Sequence, residues 1–328
     1  MGIISTMSEL ISFNQYLTIL DSSLLREDQS MFNSIPYLCV DWQGAEETAP
    51  RILPACPVIA IGTNTEHLLA DICIEDEATM ETLRPNLDTQ PAACATLVQL
   101  LRHNANSNIT EGLFAESLAY STLQQSLEFT SWLQQPRPAS KPDTPPVVLT
   151  ERHDQTLTIT LNRPHAHNAY STALKDALCE VLHAALADKT LREVVLRGNG
   201  PSYCAGGDLS EFGQVTDAAE AHLSRTTRSA GALLASLVST TKVYTQGACI
   251  GAGIEIPAFA DHIIAHENSF FQLPEVTMGL VPGAGGTVSL TKKIGRHKTA
   301  YLAISNSKLS AQAALSWGLI DEVVAEPD

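Results

Sequence analysis

Residues 134–146 read QQPRPASKPDTPP, and their five prolines constrain the fold of this chain more than any other feature. Proline lacks a backbone N–H and fixes φ, so neither a helix nor a central strand can run through such a stretch. We therefore expect an extended linker between an N-terminal segment and a C-terminal segment of about 180 residues. The length of 328 residues fits two such parts, because one domain usually takes up roughly 100–200 residues.

The C-terminal segment alternates between strand and helix patterns. Leu157, Ile159 and Leu161 alternate with threonines, which is typical of a half-buried strand. Helical spacing of apolar residues predicts helices at 172–188 and 218–239. Further strands are predicted at 194–198, 242–249 and 261–268. Strands that alternate with helices in this way predict an α/β fold.

The N-terminal segment is predicted to be mostly helical after two short strands. Apolar runs at 37–42 and 57–62 indicate the strands. Helical spacing indicates helices at 75–87, 92–102 and 111–133, and the last of these is predicted to be long and amphipathic.

Composition and charge exclude several classes of function. The net charge is −16 and the pI is about 5.0, so no nucleic-acid partner is expected, because such proteins normally carry a basic patch. No apolar run approaches the roughly 20 residues that span a bilayer, so no membrane partner is expected either. The N-terminus resembles no secretory signal, and the seven cysteines are scattered without a CxxC pair, which indicates a cytoplasmic location.

Two glutamates, Glu255 and Glu275, lie in glycine-rich surroundings that favour catalysis. One carboxylate can activate water while the other moves a proton on carbon, provided that burial raises the carboxyl pKa toward neutrality. Glycines nearby allow backbone N–H groups to approach a developing oxyanion without a Cβ in the way. The pair therefore indicates an acid–base enzyme.

The C-terminal segment resembles the crotonase, or enoyl-CoA hydratase/isomerase, superfamily in the order of its motifs. LNRPHAHNAYS at 161–171 is similar to the first strand-to-helix motif, and RGNGPSYCAGGDLSEF at 197–212 to the first oxyanion-hole loop. GACIGAGIE at 247–255 is similar to the second such loop, LPEVTMGLVPGAGGT at 273–287 to the catalytic turn, and 309–324 to the helix–strand unit that follows. The resemblance implies a crotonase-like ββα spiral core over residues 147–328.

The resemblance also implies the catalytic groups. The N–H groups of Gly207 and Ala252 would stabilise the enolate of a CoA thioester, although Ala252 replaces the usual glycine. Glu275 would exchange the proton at the α-carbon, and Glu255 would direct water to the β-carbon. Relatives with both carboxylates add water to a 2-enoyl-CoA, so hydration is the expected reaction.

Five more positions are expected to bind substrate by resemblance: Arg163, Ala205, Gly206, Asp208 and Gly283. Arg163 is the cation expected to contact a CoA phosphate, and Asp208 is expected to stabilise the oxyanion loop. Coenzyme A enters as part of the substrate, so no separate cofactor is expected. No metal is expected either, because HIIAH at 262–266 is predicted to be a strand, where its two histidines lie too far apart to chelate.

The N-terminal segment resembles pieces of the same superfamily in a different order. Residues 70–104 and 112–138 are similar to the terminal helices that normally follow the helix–strand unit, whereas this chain ends soon after that unit. We therefore expect a circular permutation: an extension at 1–66, helices at 67–138, a linker at 139–146 and the core at 147–328. The alternative is an unrelated helical domain joined to a truncated core.

Several alternatives remain open for function. The same enolate chemistry serves a double-bond isomerase or a cofactor-free oxygenase, in which Glu275 would act and Glu255 would be secondary. A non-catalytic scaffold protein is the alternative from another class, because few cations are available for the phosphates of CoA. Relatives form trimers or dimers of trimers, so a homo-oligomer, trimer or hexamer, is expected.

Overall fold

The computed structural model describes residues 10–43, 51–139 and 142–325. Within these ranges the strands are β1 Leu10–Ser12, β2 Leu38–Asp41, β3 Val58–Ile61, β4 Ile72–Ile74, β5 Val148–His153, β6 Thr156–Leu161, β7 Glu193–Gly198, β8 Thr240–Thr245, β9 Ala248–Ile250, β10 His262–His266, β11 Phe270–Gln272, β12 Leu309–Ser310 and β13 Glu322–Val324.

The α-helices of the described residues are α1 Phe13–Leu20, α2 Leu25–Asp28, α3 Glu77–Thr89, α4 Pro91–Asn104, α5 Ile109–Leu123, α6 Leu127–Leu133, α7 Thr172–Ala187, α8 Ala218–Thr227, α9 Ala230–Ala235, α10 Ala252–Glu255, α11 Gly286–Ser305 and α12 Ala311–Trp317. Helix α11 is kinked at Gly295, where φ is +81°.

The C-terminal segment is built on two sheets. The larger has the strand order β13-β10-β8-β7-β6-β5 and is parallel except for the antiparallel pair of β5 and β6. The smaller has the order β12-β11-β9 and leads directly into helix α10. This α/β architecture confirms the fold class predicted from the sequence, and His262–His266 is a strand as expected.

The N-terminal segment adds a four-stranded parallel sheet, β1-β2-β3-β4, and the helices α1 to α6. The predicted strands are observed as β2 and β3, and β4 hydrogen-bonds to β3, so this sheet extends across residue 66. Residues 1–9 and 44–50 of the expected extension, and residues 140–141 of the linker, lie outside the described residues.

Two of the predicted helices are wrong in length, because each is divided by a serine cap. The pattern at 111–133 predicts one helix, but the chain forms α5 and α6, and the Ser126 side chain accepts a hydrogen bond from the Phe129 N–H at the new start. The pattern at 218–239 becomes α8 and α9, where Ser229 caps the Ala232 N–H. The first N–H groups of a helix have no partner within the helix, and a serine side chain at the start accepts a hydrogen bond from one of them.

The helices of the N-terminal segment pack directly on the C-terminal core. Leu97 and Leu101 of α4 belong to the same buried hydrophobic cluster as Leu290 and Ile294 of α11. Buried amides join the segments as well: Asn86 Nδ2 donates to the Ile304 carbonyl at 2.7 Å. One continuous core therefore holds α11, and with it the turn that precedes α11.

No helix among the described residues combines the length and the apolar character that crossing a bilayer requires.

Candidate active site

The turn between β9 and α10 brings the two predicted glutamates together. Gly251 has a φ of +50°, and a Cβ built there would lie 2.4 Å from Glu275 Oε1 and 3.6 Å from Glu255 Oε1. Only glycine accepts both this conformation and this contact. The next residue starts the single turn of α10, which places the Glu255 side chain beside Glu275.

Glu255 is held by the backbone of the turn PGAGGT. Its side chain is buried, and Oε2 accepts hydrogen bonds from the N–H groups of Ala284 at 2.7 Å and Gly286 at 2.9 Å. Burial raises the pKa of Glu255 to about 7, and these N–H donors limit the rise because they stabilise the carboxylate. Glu255 is therefore poised to accept a proton near neutral pH.

Glu275 begins a 3₁₀ turn, Glu275–Met278, and its hydrogen bonding is the opposite. Its Oε2 atom is buried and has no hydrogen-bond partner among the described residues. Burial, and then the negative charge of Glu255, raise the pKa of Glu275 well above its ordinary value. The pair therefore favours an ionised Glu255 beside a protonated Glu275.

Two backbone donors are available for an oxyanion. The N–H groups of Gly207 and Ala252 donate to no described residue. Their loops lie side by side: the Ile250 N–H donates to the Cys204 carbonyl at 3.0 Å, and a Cβ on Gly253 would lie 2.1 Å from the same oxygen. Unpaired N–H groups on adjacent loops are the arrangement that stabilises charge on a thioester oxygen.

A cavity of about 440 Å³ gathers most of the positions predicted for the site. Its wall includes Gly207, Asp208, Ala252, Glu255, Glu275 and Gly283. Ala205 and Gly206 do not line the cavity; they precede Gly207 in its loop, where Gly206 has a φ of +90° and a Cβ there would lie 3.0 Å from the Ile250 carbonyl. They shape the loop that carries Gly207.

The prediction for Arg163 is wrong. Its side chain is 2% exposed and pairs with two carboxylates, Asp143 of the linker and Asp208 of the oxyanion loop, the latter at 3.0 Å. It also donates to the Ala169 carbonyl. A guanidinium buried among these acceptors cannot reach a CoA phosphate, whereas it does hold Asp208, as expected for a residue that stabilises the loop.

Glu116 of α5 is a third buried carboxylate, which sequence reasoning missed. Its Oε1 accepts from the Gly285 N–H at 2.7 Å, and its Oε2 contacts the Thr287 N–H at 2.9 Å and the Thr287 hydroxyl at 2.6 Å. Burial, and then the charge of Glu255, raise the pKa of Glu116 to about 8. Glu116 and Glu255 therefore hold the same turn from opposite segments of the chain.

Tyr120, one helical turn further along α5, lines the same cavity. A Cβ on Gly283 would lie 2.4 Å from the Tyr120 ring, so glycine is needed at that position of the catalytic turn. No pattern in the sequence distinguishes Glu116 or Tyr120 from other residues of an amphipathic helix. Only their packing on the core reveals them.

Comparison with known proteins identifies the family of this chain. The model of the enoyl-CoA hydratase/isomerase family matches residues 151–328, and the chain belongs to this family. The 2,3-dehydroadipyl-CoA hydratase of Escherichia coli strain K12 is 35% identical over 176 residues, which are 54% of this chain and 68% of that protein. A probable enoyl-CoA hydratase of Rhizobium meliloti is 33% identical over 181 residues, which are 55% of this chain and 69% of that protein.

Solved structures give the same result for the fold. The enoyl-CoA hydratase from Thermoplasma volcanium superposes with a TM-score of 0.51 at 33% identity, and the match covers 55% of this chain and 72% of that one. The family and the fold therefore define an enzyme of the hydratase/isomerase type with a crotonase core.

Proposed function

We propose that this enzyme adds water to the double bond of a 2-enoyl-CoA thioester. The observation that carries the proposal is the opposite hydrogen bonding of Glu255 and Glu275 in one cavity. Water addition needs a base and an acid at the same time, and this pair supplies both near neutral pH.

The reaction follows from the positions of these groups. Glu255 takes a proton from water while the water oxygen bonds to the β-carbon of the substrate. The π electrons move toward the thioester oxygen, where the N–H groups of Gly207 and Ala252 stabilise the negative charge. Glu275 then gives its proton to the α-carbon, and the product is a 3-hydroxyacyl-CoA. A proton passed from Glu255 to Glu275 restores the starting state.

Substrate, partners and location follow the same proposal. Coenzyme A enters as part of the substrate, and no step above calls for a separate cofactor. Of the substrate-binding positions, Asp208 and Gly283 line the cavity, and Ala205 and Gly206 support it. We also propose a cytoplasmic homo-oligomer, a trimer or hexamer, on the basis of the family resemblance.

The domain arrangement is proposed as a circular permutation. Helices α3 to α6 precede the core in the chain, and α5 contributes Glu116 and Tyr120 to the site through contacts with the turn before α11. A domain unrelated to the core is not expected to supply a buried carboxylate to the turn before α11. A permuted chain with residues 147–328 placed before 10–138 should keep activity, whereas loss of activity in a folded permutant would oppose the proposal.

The proposal is tested with a panel of 2-enoyl-CoA thioesters, by the loss of absorbance of the conjugated thioester. Wild-type protein should consume at least one chain length, and Glu275→Gln should not. Binding of CoA thioesters without turnover on any chain length would contradict hydration.

One observation favours double-bond isomerisation as a second candidate. Glu255 Oε2 is occupied by backbone donors, so Glu255 could serve only to hold the turn while Glu275 moves a proton alone. A shifted double bond in the product, with no hydroxyl group, would identify this reaction.

A further inference from the structure

Arg225 of helix α8 lies in the wall of the catalytic cavity. Its guanidinium carbon is 4.4 Å from the centre of the Tyr120 ring, a distance at which a cation is attracted to the ring face. The ring in turn lies against Gly283 of the catalytic turn. One aromatic side chain thus separates this cation from the turn that holds Glu255.

The protein gives Arg225 only neutral hydrogen-bond partners. Nε donates to the Ser117 hydroxyl at 3.4 Å, and Nη2 donates to Ser121 and to Gln124 Oε1, the latter at 3.3 Å. Nη1 donates to no described residue, and no described carboxylate lies within 4.0 Å of the guanidinium. Burial lowers the pKa of Arg225, and the opposing effects of Tyr120 and of the more distant Glu116 only partly offset this.

Neighbouring cations at the cavity differ in this respect. Arg228 lies 3.0 Å from Asp176, and Lys175 lies 3.9 Å from the same carboxylate. Both can be stabilised without a ligand. Of these three cations, Arg225 is the one without an ion-pair partner among the described residues. A bound anion would therefore stabilise its charge.

The acidic side chains around the cavity do not supply that anion. Glu116 acts on Arg225 only through its more distant charge, because its oxygens are hydrogen-bonded to Gly285 and Thr287, and Glu211 accepts from Thr172 at 2.8 Å. Glu220 is exposed and forms no ion pair among the described residues. The guanidinium of Arg225 therefore has no direct ion pair among the described residues, and an anion that enters the cavity could form one.

We propose that the acyl group of the substrate ends in a carboxylate, which binds Arg225. This inference rests on the proposed function, because it names the substrate class for the same site. Reacting carbons at Glu255 and Glu275 and a terminal carboxylate at Arg225 would span the cavity, with the Tyr120 ring beside the chain between them. The substrate class is then a short dicarboxylic 2-enoyl-CoA.

The test compares two thioesters of equal length, 2-hexenoyl-CoA and 2,3-dehydroadipyl-CoA, which differ in a terminal methyl or carboxylate. The wild-type kcat/KM should favour the carboxylate by about 10- to 100-fold, as expected for a hydrogen bond to a charged group. Arg225→Gln should remove this preference, chiefly by raising KM for the carboxylate substrate, and Arg225→Lys should restore part of it. Arg228→Gln is the matched control and should keep the preference.

Two results would overturn the inference. One is equal kcat/KM for both thioesters in the wild-type protein. The other is an equal loss on both substrates in Arg225→Gln, because that would assign Arg225 to the phosphates of CoA or to structure alone.

Binding separates this inference from the proposed reaction. The Kd values of hexanoyl-CoA and adipyl-CoA, which cannot react, are measured for wild-type protein and Arg225→Gln. Tighter binding of adipyl-CoA that depends on Arg225 would support the anion site even if no enoyl thioester is turned over. Equal affinities would contradict it even if hydration is observed.

Discussion

The segments on either side of the proline-rich linker contribute differently to the active site. The C-terminal segment supplies the groups that would touch the reacting atoms: two carboxylates and two N–H donors. The N-terminal segment supplies Glu116 and Tyr120, which contact the catalytic turn from behind and beside it. The proposed catalytic groups of the core therefore lie on or beside a turn that the N-terminal segment contacts directly.

The largest effect is expected from breaking the chemistry within the core. Glu275→Gln removes the proposed proton donor while it preserves the shape of the side chain, so kcat should fall by roughly 10²–10⁴-fold. Hydration kinetics measure the loss, and thermal unfolding checks the fold. Glu267→Gln, an exposed glutamate of the same segment, is the control and should leave kcat unchanged.

The next effect tests the N-terminal side of the comparison. Glu116→Ala leaves the N–H groups of Gly285 and Thr287 without their acceptor, so kcat should fall by roughly 10- to 100-fold through misplacement of the turn. The free energy of unfolding should fall by about 2–3 kcal/mol for the same reason. Thr122→Ala, on an exposed face of α5, is the control; if it and Glu116→Ala behave alike, the N-terminal segment does not position the site.

The pH dependence of kcat/KM should separate the two carboxylates. Glu255 must be deprotonated to accept a proton from water, and its pKa is raised to about 7. Activity should therefore fall by about tenfold per pH unit below that value and be restored as the pH rises through it. Glu275 must stay protonated, and burial and the charge of Glu255 raise its pKa well above its ordinary value, so a second decline should appear at higher pH. A profile that is flat from pH 5 to 8 would oppose these roles.

The smallest effect is expected where the sequence departs from the family pattern. Ala252→Gly restores the usual residue, but the proposed donor is a backbone N–H, which both residues possess. We expect kcat to change by less than about threefold and stability to fall by roughly 0.5–1 kcal/mol, because glycine loses more entropy on folding. A large gain in kcat would show that the alanine side chain obstructs the site.

The core could be predicted from the sequence because its signals are local. Glu255 and Gly251 are four residues apart within one turn. The glycine-rich pattern around Glu255 therefore already indicates the tight turn that positions its side chain. Strands and the helix after PGAGGT follow from hydrophobic spacing and glycines in the same way. Membership of the enoyl-CoA hydratase/isomerase family confirms the family and the fold predicted for the core, whereas the roles of the site residues stay predictions.

The N-terminal contribution could not be predicted, because it depends on distant contacts. Glu116 and Gly285 are 169 residues apart along the chain, and nothing near Glu116 distinguishes it from a solvent-exposed glutamate. Arg163 was misassigned for the same reason: its partner Asp143 lies in the linker, where a sequence pattern does not indicate a buried ion pair. Hydrogen bonds and ion pairs between distant parts of the chain depend on tertiary packing. A sequence motif describes only residues that are close together along the chain.

The central claim, that the two carboxylates add water, is tested most directly by running the reaction on a 2-enoyl-CoA in D₂O and analysing the product by NMR. Hydration by this pair should give a 3-hydroxyacyl-CoA with deuterium on the α-carbon, and Glu275→Gln should give no such product. A product that lacks the hydroxyl group and has its double bond shifted to the β,γ position would contradict the claim and assign the proton transfer to isomerisation.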